Sequence, residues 1–146
     1  MQTFSSQPRR AAAWLVLALG GLLLQGCAES AAPAPQPRLF ESDLQGAAKR
    51  CTAPKPQLAP GKETAVEMKL GNDGGWCAIG VANGGAPYDT ELLTEPPAHG
   101  SVYIHPVGNA TRIDYTPDAR FSGSDSFVVK LLPGSPVLRV SVAVTR

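Results

Sequence analysis

Val137-Leu138-Arg139-Val140-Ser141-Val142-Ala143-Val144-Thr145 alternates without a slip, with Leu138, Val140, Val142 and Val144 facing one way and Arg139, Ser141, Ala143 and Thr145 the other. A period of two marks a half-buried β-strand, because successive side chains leave opposite faces of the pleat. The same alternation appears earlier in the chain, where Thr64, Val66, Met68 and Leu70 interleave with Glu63, Ala65, Glu67 and Lys69. Asn72-Asp73-Gly74-Gly75 follows as a turn, since Asn, Asp and Gly tolerate positive φ. Residues 76–82 read as the returning strand, with Cys77, Ile79 and Val81 on one face.

Between these two stretches, further strands are expected over residues 90–94, 101–105, 111–116 and 126–132, each bounded by Pro, Gly, Asn or Asp. That makes about seven short strands, with no long amphipathic helix. The predicted fold is all-β: a single immunoglobulin-like β-sandwich.

Four motifs follow one another in the C-terminal half: Pro97-Ala98-His99-Gly100-Ser101-Val102, Ile113-Asp114-Tyr115-Thr116-Pro117, Phe121-Ser122-Gly123-Ser124-Asp125-Ser126-Phe127, and Val140 to Thr145. In this order they resemble the bacterial immunoglobulin-like and cadherin-like domains that occur as repeats on surface proteins. Residues 51–85 fall outside the resemblance. It implies that Tyr115 and Phe127 project into the inter-sheet core and that Phe121 plugs a corner between the sheets. Gly123 then takes a turn position with positive φ, and Asp125 accepts backbone amides just before its strand. Cadherin-like domains often bind calcium, which makes Asp114, Asp118 and Asp125, with Asp73, candidate oxygen ligands. Calcium wants six to eight oxygens, however, and the clustered acidic linker motifs of cadherin sites are absent from this sequence.

At the other end, Arg9-Arg10 precedes fourteen apolar residues, 11–24, fewer than the ~20 needed to cross a bilayer core. This is signal-peptide geometry. The stretch closes on Leu24-Gln25-Gly26-Cys27, which resembles the lipobox of bacterial lipoproteins. The resemblance implies cleavage before Cys27 and a diacylglycerol thioether on its sulfur, with two or three acyl chains in all making attachment effectively permanent. Ala28, where an Asp would signal inner-membrane retention, implies the outer membrane, facing the periplasm. The expected organisation is a signal peptide over 1–26, a lipidated tether over 27–50 and the sandwich over 51–146. Prolines 33, 35 and 37 favour an extended spacer of roughly 30 Å. Leu39, Phe40, Leu44 and Ala47 have loosely helical spacing, so a short helical turn is expected before Arg50.

Assigning Cys27 to lipid leaves Cys51 and Cys77 as an even pair in an oxidising compartment. A disulfide is the expected reading. The alternative is a metal site, which would need ligands beyond two cysteines, while His99 and His105 lie in a different segment.

Removal of residues 1–26 leaves eleven basic and twelve acidic residues, so nucleic acid is not an implied partner. No Gly-x-Ser-x-Gly elbow is present, and the two histidines read as a turn residue and a surface residue. Glu63 and Glu67 read as a solvated strand face. Trp76 and Tyr88 border Gly-rich loops and, with Tyr103, are the candidate exposed binding aromatics; the alternative for Trp76 is packing against the cysteine bridge. The functional expectation is a non-enzymatic envelope lipoprotein without cofactor or metal. Its domain would serve as a protein-interaction or structural module, with a glycan- or peptidoglycan-binding module and a calcium-stabilised adhesion domain as the alternatives.

Overall fold

The computed structural model describes residues 39–146. The signal peptide, Cys27 and the proline-rich spacer therefore lie outside the described residues. Eight strands form two sheets: β1 (Cys51–Thr52), β2 (Glu63–Gly71), β3 (Cys77–Val81), β4 (Thr90–Glu95), β5 (Gly100–Val107), β6 (Ala110–Pro117), β7 (Gly123–Leu132) and β8 (Val137–Thr145). One sheet has the order β1-β2-β8-β7-β4 and the other β3-β6-β5. In an immunoglobulin-like sandwich, β3, β6 and β5 occupy the places of strands B, E and D, and β4, β7 and β8 those of C, F and G. β2 joins the last strand in parallel, Glu63 opposite Val137 through Gly71 opposite Thr145.

Alternation explains the core. Met68 and Leu70 from β2, Phe127, Val129 and Leu131 from β7, and Leu138, Val140, Val142 and Val144 from β8 face Cys77, Ile79, Val81, Ile113 and Tyr115 of the smaller sheet. Tyr115 and Phe127 are fully buried and stack nearly parallel with ring centroids 5.9 Å apart, so both occupy the expected inter-sheet core. Such ring pairs add roughly 0.5–1.5 kcal/mol beyond the area they bury. Phe121 packs against the edge of this core and stacks on the His99 ring at 4.4 Å.

Three expectations need correction. β3 does not return beside β2: it pairs with β6 in the other sheet, and the turn at 72–75 carries the chain across the sandwich. Both sides of β2 are already taken, by β1 and β8. β1 is the eighth strand, a two-residue piece that lays Cys51 against Leu70. Asp125 lies within β7 instead of before its strand, because β7 begins at Gly123, whose φ of +140° is the positive angle expected of it.

Cys51 and Cys77 form a disulfide with their Cα atoms 5.4 Å apart, which joins β1 of the larger sheet to β3 of the smaller. The open edges are blunted by known devices. β5 carries Pro106 and pairs only with β6, and β4 has an irregular register between Leu93 and Glu95.

The folded unit also starts before Cys51. A single 3-10 turn, Glu41–Leu44, matches the expected short helical turn. The residues after it are bonded to the sandwich: Ala48 N–H donates to the Trp76 carbonyl at 2.8 Å and Trp76 N–H to the Gly46 carbonyl at 3.0 Å.

Candidate functional site

The outer face of the β3-β6-β5 sheet gathers the most chemistry. Register places Ala78, Asp114 and Tyr103 in one row and Gly80, Arg112 and His105 in the next. Ala78 and Gly80 are small, which leaves the space over β3 to the Arg112 side chain. Its guanidinium lies over the Trp76 ring, 4.2 Å from the centroid, a contact of about 0.5–2 kcal/mol depending on how dry it is.

Asp114 is 5% exposed and stands between the Arg112 guanidinium and the His105 imidazole. Arg112 donates to its Oδ2 through Nε at 3.1 Å and Nη2 at 2.9 Å, and His105 Nε2 is 3.1 Å from the same oxygen. Oδ1 lies 2.9 Å from Arg112 Nε, close enough for charge attraction but without a hydrogen bond. A carboxylate this buried persists because it is paired. Tyr103, 65% exposed, stacks on the His105 ring at 4.5 Å and forms the open end of the network.

The other end is covered by the chain's own N-terminal segment. Trp76 Nε1 donates to the Gln45 carbonyl at 3.0 Å, and Arg112 Nη1 donates to the Asp43 carbonyl. Gly75 permits the approach: a Cβ there would lie 2.5 Å from Ala48 N. Asp73 assists, accepting from Lys49 N–H at 2.9 Å and Gly75 N–H at 3.1 Å, and these amides hold its carboxyl below the usual range. Residues 43–48 thus form a strap across the Trp76 end of the face.

A second cluster explains the C-terminal motifs. Asp125 accepts from the Ala98 and His99 amides and the Tyr115 hydroxyl, all at 2.9 Å, and from the Ser126 amide at 2.9 Å. Burial alone would raise its pKa, but the Ala98 and Ser126 amides, the Tyr115 hydroxyl and the His99 amide together hold it below the ordinary carboxylate value. Tyr115 is pushed strongly the other way, first by burial and then by its bond to Asp125. The motifs at 97–102, 113–117 and 121–127 therefore converge on one polar latch between the sheets.

The aromatic candidates separate. Tyr88 is buried, with burial raising its hydroxyl pKa, so it cannot present a ring to a ligand. Trp76 is partly covered by Arg112 and the strap. Only Tyr103 of the three is exposed, and no three-ring platform exists. His105 is half-buried and paired, not the free surface residue expected. The acidic candidates for calcium are dispersed, Asp114 to Arg112, Asp125 to four donors and Asp73 to the strap, and no cluster of three or more metal-ligating side chains occurs among the described residues. Glu63 does lie on an exposed strand face, but paired: Arg139 binds Glu63 at 2.9 Å and Glu95 at 2.9 Å across the larger sheet, holding Glu95 below its usual pKa.

Sequence reading overlooked Arg112. Its i, i+2 spacing from Asp114 puts both on one strand face, but contact with Trp76 and His105 depends on register, which only the paired strands reveal. Neither a protein-family model nor a curated protein matches the chain.

Proposed function

We propose that this chain is a lipid-anchored protein of the bacterial envelope, tethered through Cys27 to the periplasmic side of the outer membrane, whose sandwich serves as a non-enzymatic protein-interaction or structural module. The observation that carries the reading is the Cys51–Cys77 disulfide. It accounts for two of the three cysteines and suits an oxidising compartment, which leaves Cys27, at the end of its lipobox-like stretch, for the lipid. Non-enzymatic function is supported by the commitments of the histidines: His99 is stacked on Phe121, and His105 is bound to Asp114 with no hydroxyl or thiol nucleophile bonded to either ring among the described residues. The open Tyr103 end of the β3-β6-β5 face is the surface offered to a partner.

In-cell crosslinking and affinity purification of the full-length protein, compared with a Cys27→Ala form carrying a conventional signal peptide, tests this. Recovery of one envelope complex with the anchored form alone, lost on Tyr103→Ala, supports the module. Identical bulk membrane proteins with both forms would overturn it. Glycan binding is less favoured, since Tyr103 alone of the three candidate rings is exposed.

A further inference from the structure

We propose that Leu39, Phe40 and Leu44 form a lipid-docking patch that seats the domain on the bilayer to which Cys27 anchors it; the proposal rests on the lipid-anchor reading above. Six large apolar side chains are exposed among the described residues, and these three, at 64%, 61% and 59%, fall within six consecutive positions. The 3-10 turn that Leu39 and Phe40 precede and Leu44 ends buries none of its residues, so burial against the sandwich does not hold it. Hydrogen bonds hold it instead: the Arg112 and Trp76 side chains donate to the Asp43 and Gln45 carbonyls and tie it to the sandwich, while Phe40 N–H to Asp43 Oδ2 at 2.8 Å closes the turn on itself. The strap thus fixes this stretch to the domain while its apolar side chains stay outward.

Position selects the occupant. Eleven residues, 28–38, separate the patch from Cys27 and its acyl chains, and it begins directly where the spacer meets the folded unit. A polyproline-type spacer of this length reaches about 34 Å at ~3.1 Å per residue, and full extension gives only about 40 Å. This part of the domain can never be far from the headgroups. A protein partner has no such enforced proximity. Tethering supplies an effective concentration in the millimolar range, at which weak insertion of a few side chains is enough for docking. Glu41 and Asp43 on one side, and Lys49 and Arg50 on the other, roughly cancel in charge, so docking is apolar and insensitive to salt. The spacer then permits a seated domain instead of holding it clear of the membrane.

The test uses the full-length acylated protein reconstituted in vesicles of phosphatidylethanolamine and phosphatidylglycerol. With Cys27 acylated and Cys51–Cys77 bridged, Phe40→Cys, Leu44→Cys and Ser124→Cys each offer one thiol for a nitroxide label. Labels at 40 and 44 should collide with oxygen in preference to a water-soluble nickel complex, in high salt as in low, and the label at 124 should show the reverse. Phe40→Ser, which puts a favoured capping residue at the N-cap of the turn, should lower the docked-to-free ratio read by the label at 44 by about tenfold or more. Aqueous behaviour at 40 and 44 in a protein whose Cys27 is acylated by mass spectrometry overturns the docking alone. An unacylated Cys27 overturns the anchor and the docking together.

Discussion

Tyr115 donates its hydroxyl to the Asp125 carboxylate at 2.9 Å although the two residues stand on different sheets, Tyr115 on β6 and Asp125 on β7. The bond ties the sheets together by a polar contact beside the Tyr115–Phe127 stack. Because Asp125 also takes the Ala98 and His99 amides, the same carboxylate fixes the crossing from β4 to β5. Tyr115→Phe removes one donor and leaves Asp125 three amides, so it should cost about 1 kcal/mol. Asp125→Ala strands two loop amides and leaves the Tyr115 hydroxyl only its longer bond to the His99 carbonyl at 3.3 Å, and should cost about 2–3 kcal/mol. A denaturation cycle of the two single variants and the double variant should show coupling; purely additive losses would mean the bond contributes nothing of its own.

The same pair sets a pH dependence whose sign follows from the direction of each shift. Asp125 binds its proton less readily in the folded state than at its ordinary value of 3.8. Its stabilisation is therefore complete above that value and is lost as pH falls through the lower, folded value. Tyr115 is raised above its ordinary 10.0, so its contribution is complete below pH 10 and declines as pH rises beyond it. Stability against urea, followed from neutral pH down to strong acid, should fall more gently in Asp125→Asn than in the native chain. Some slope will remain, because Asp73 and Glu95 are shifted in the same direction. Parallel acid profiles for the two proteins would rule the latch out as an acid-sensitive element.

Reduction of Cys51–Cys77 should destabilise the domain without changing its fold. The bridge spans 26 residues of sequence, for which loop-closure entropy gives about 3.5 kcal/mol. For a domain of this size that is a loss of about 15 °C or more in melting temperature. A Cys51→Ala, Cys77→Ala double variant in calorimetry should reproduce the shift seen with reductant. A shift of only a few degrees would show that the β1 attachment is held mainly by other contacts.

Phe127→Ala empties a fully buried site between the sheets and should cost about 3–5 kcal/mol. The partner ring of Tyr115 cannot collapse into the gap while its hydroxyl is held by Asp125. An unchanged midpoint in chemical denaturation would refute the packing.

The strands were legible because their periodicity is a local property: each β8 residue declares its face by its neighbours two positions away. The packing roles of Tyr115 and Phe127 came from the resemblance of their motifs to immunoglobulin-like domains, and the cysteine pair from parity once Cys27 was set aside. Partnership between strands was not legible. The Asn72–Gly75 turn reads as a hairpin until β8 is seen lying parallel beside β2, and no local signal encodes a pairing across some seventy residues. The candidate face was hidden for the same reason. Trp76, His105 and the Arg112–Asp114 pair belong to three separate segments, and a shift of one residue in either register would turn Arg112 and Asp114 away from their partners. Tyr88 misled because its Gly-rich neighbours suggest a surface loop, yet its backbone amide is held at 2.9 Å by the buried Thr111 hydroxyl, which draws the ring inward.

The strap across the β3-β6-β5 face should open independently of the sandwich, because it is held by few bonds and buries little apolar surface. Trp76→Ala removes the indole donor to Gln45 and the ring on which Arg112 rests. Gly75→Ala reaches the same end by another route, since the added Cβ would lie 2.5 Å from Ala48 N and 2.7 Å from its Cα. Both variants should free Lys49 and Arg50 from their present backbone bonds to Asp73 and Gly71. Trypsin should then cut after these residues about tenfold faster, equivalent to roughly 1.4 kcal/mol of local stability. The β2–β8 ladder should keep its amide protection, because neither substitution touches it. Release in both variants with an intact ladder identifies residues 43–48 as a separately folding strap. Unchanged cleavage in both would mean that the segment is held by contacts other than Trp76 and the Gly75 approach.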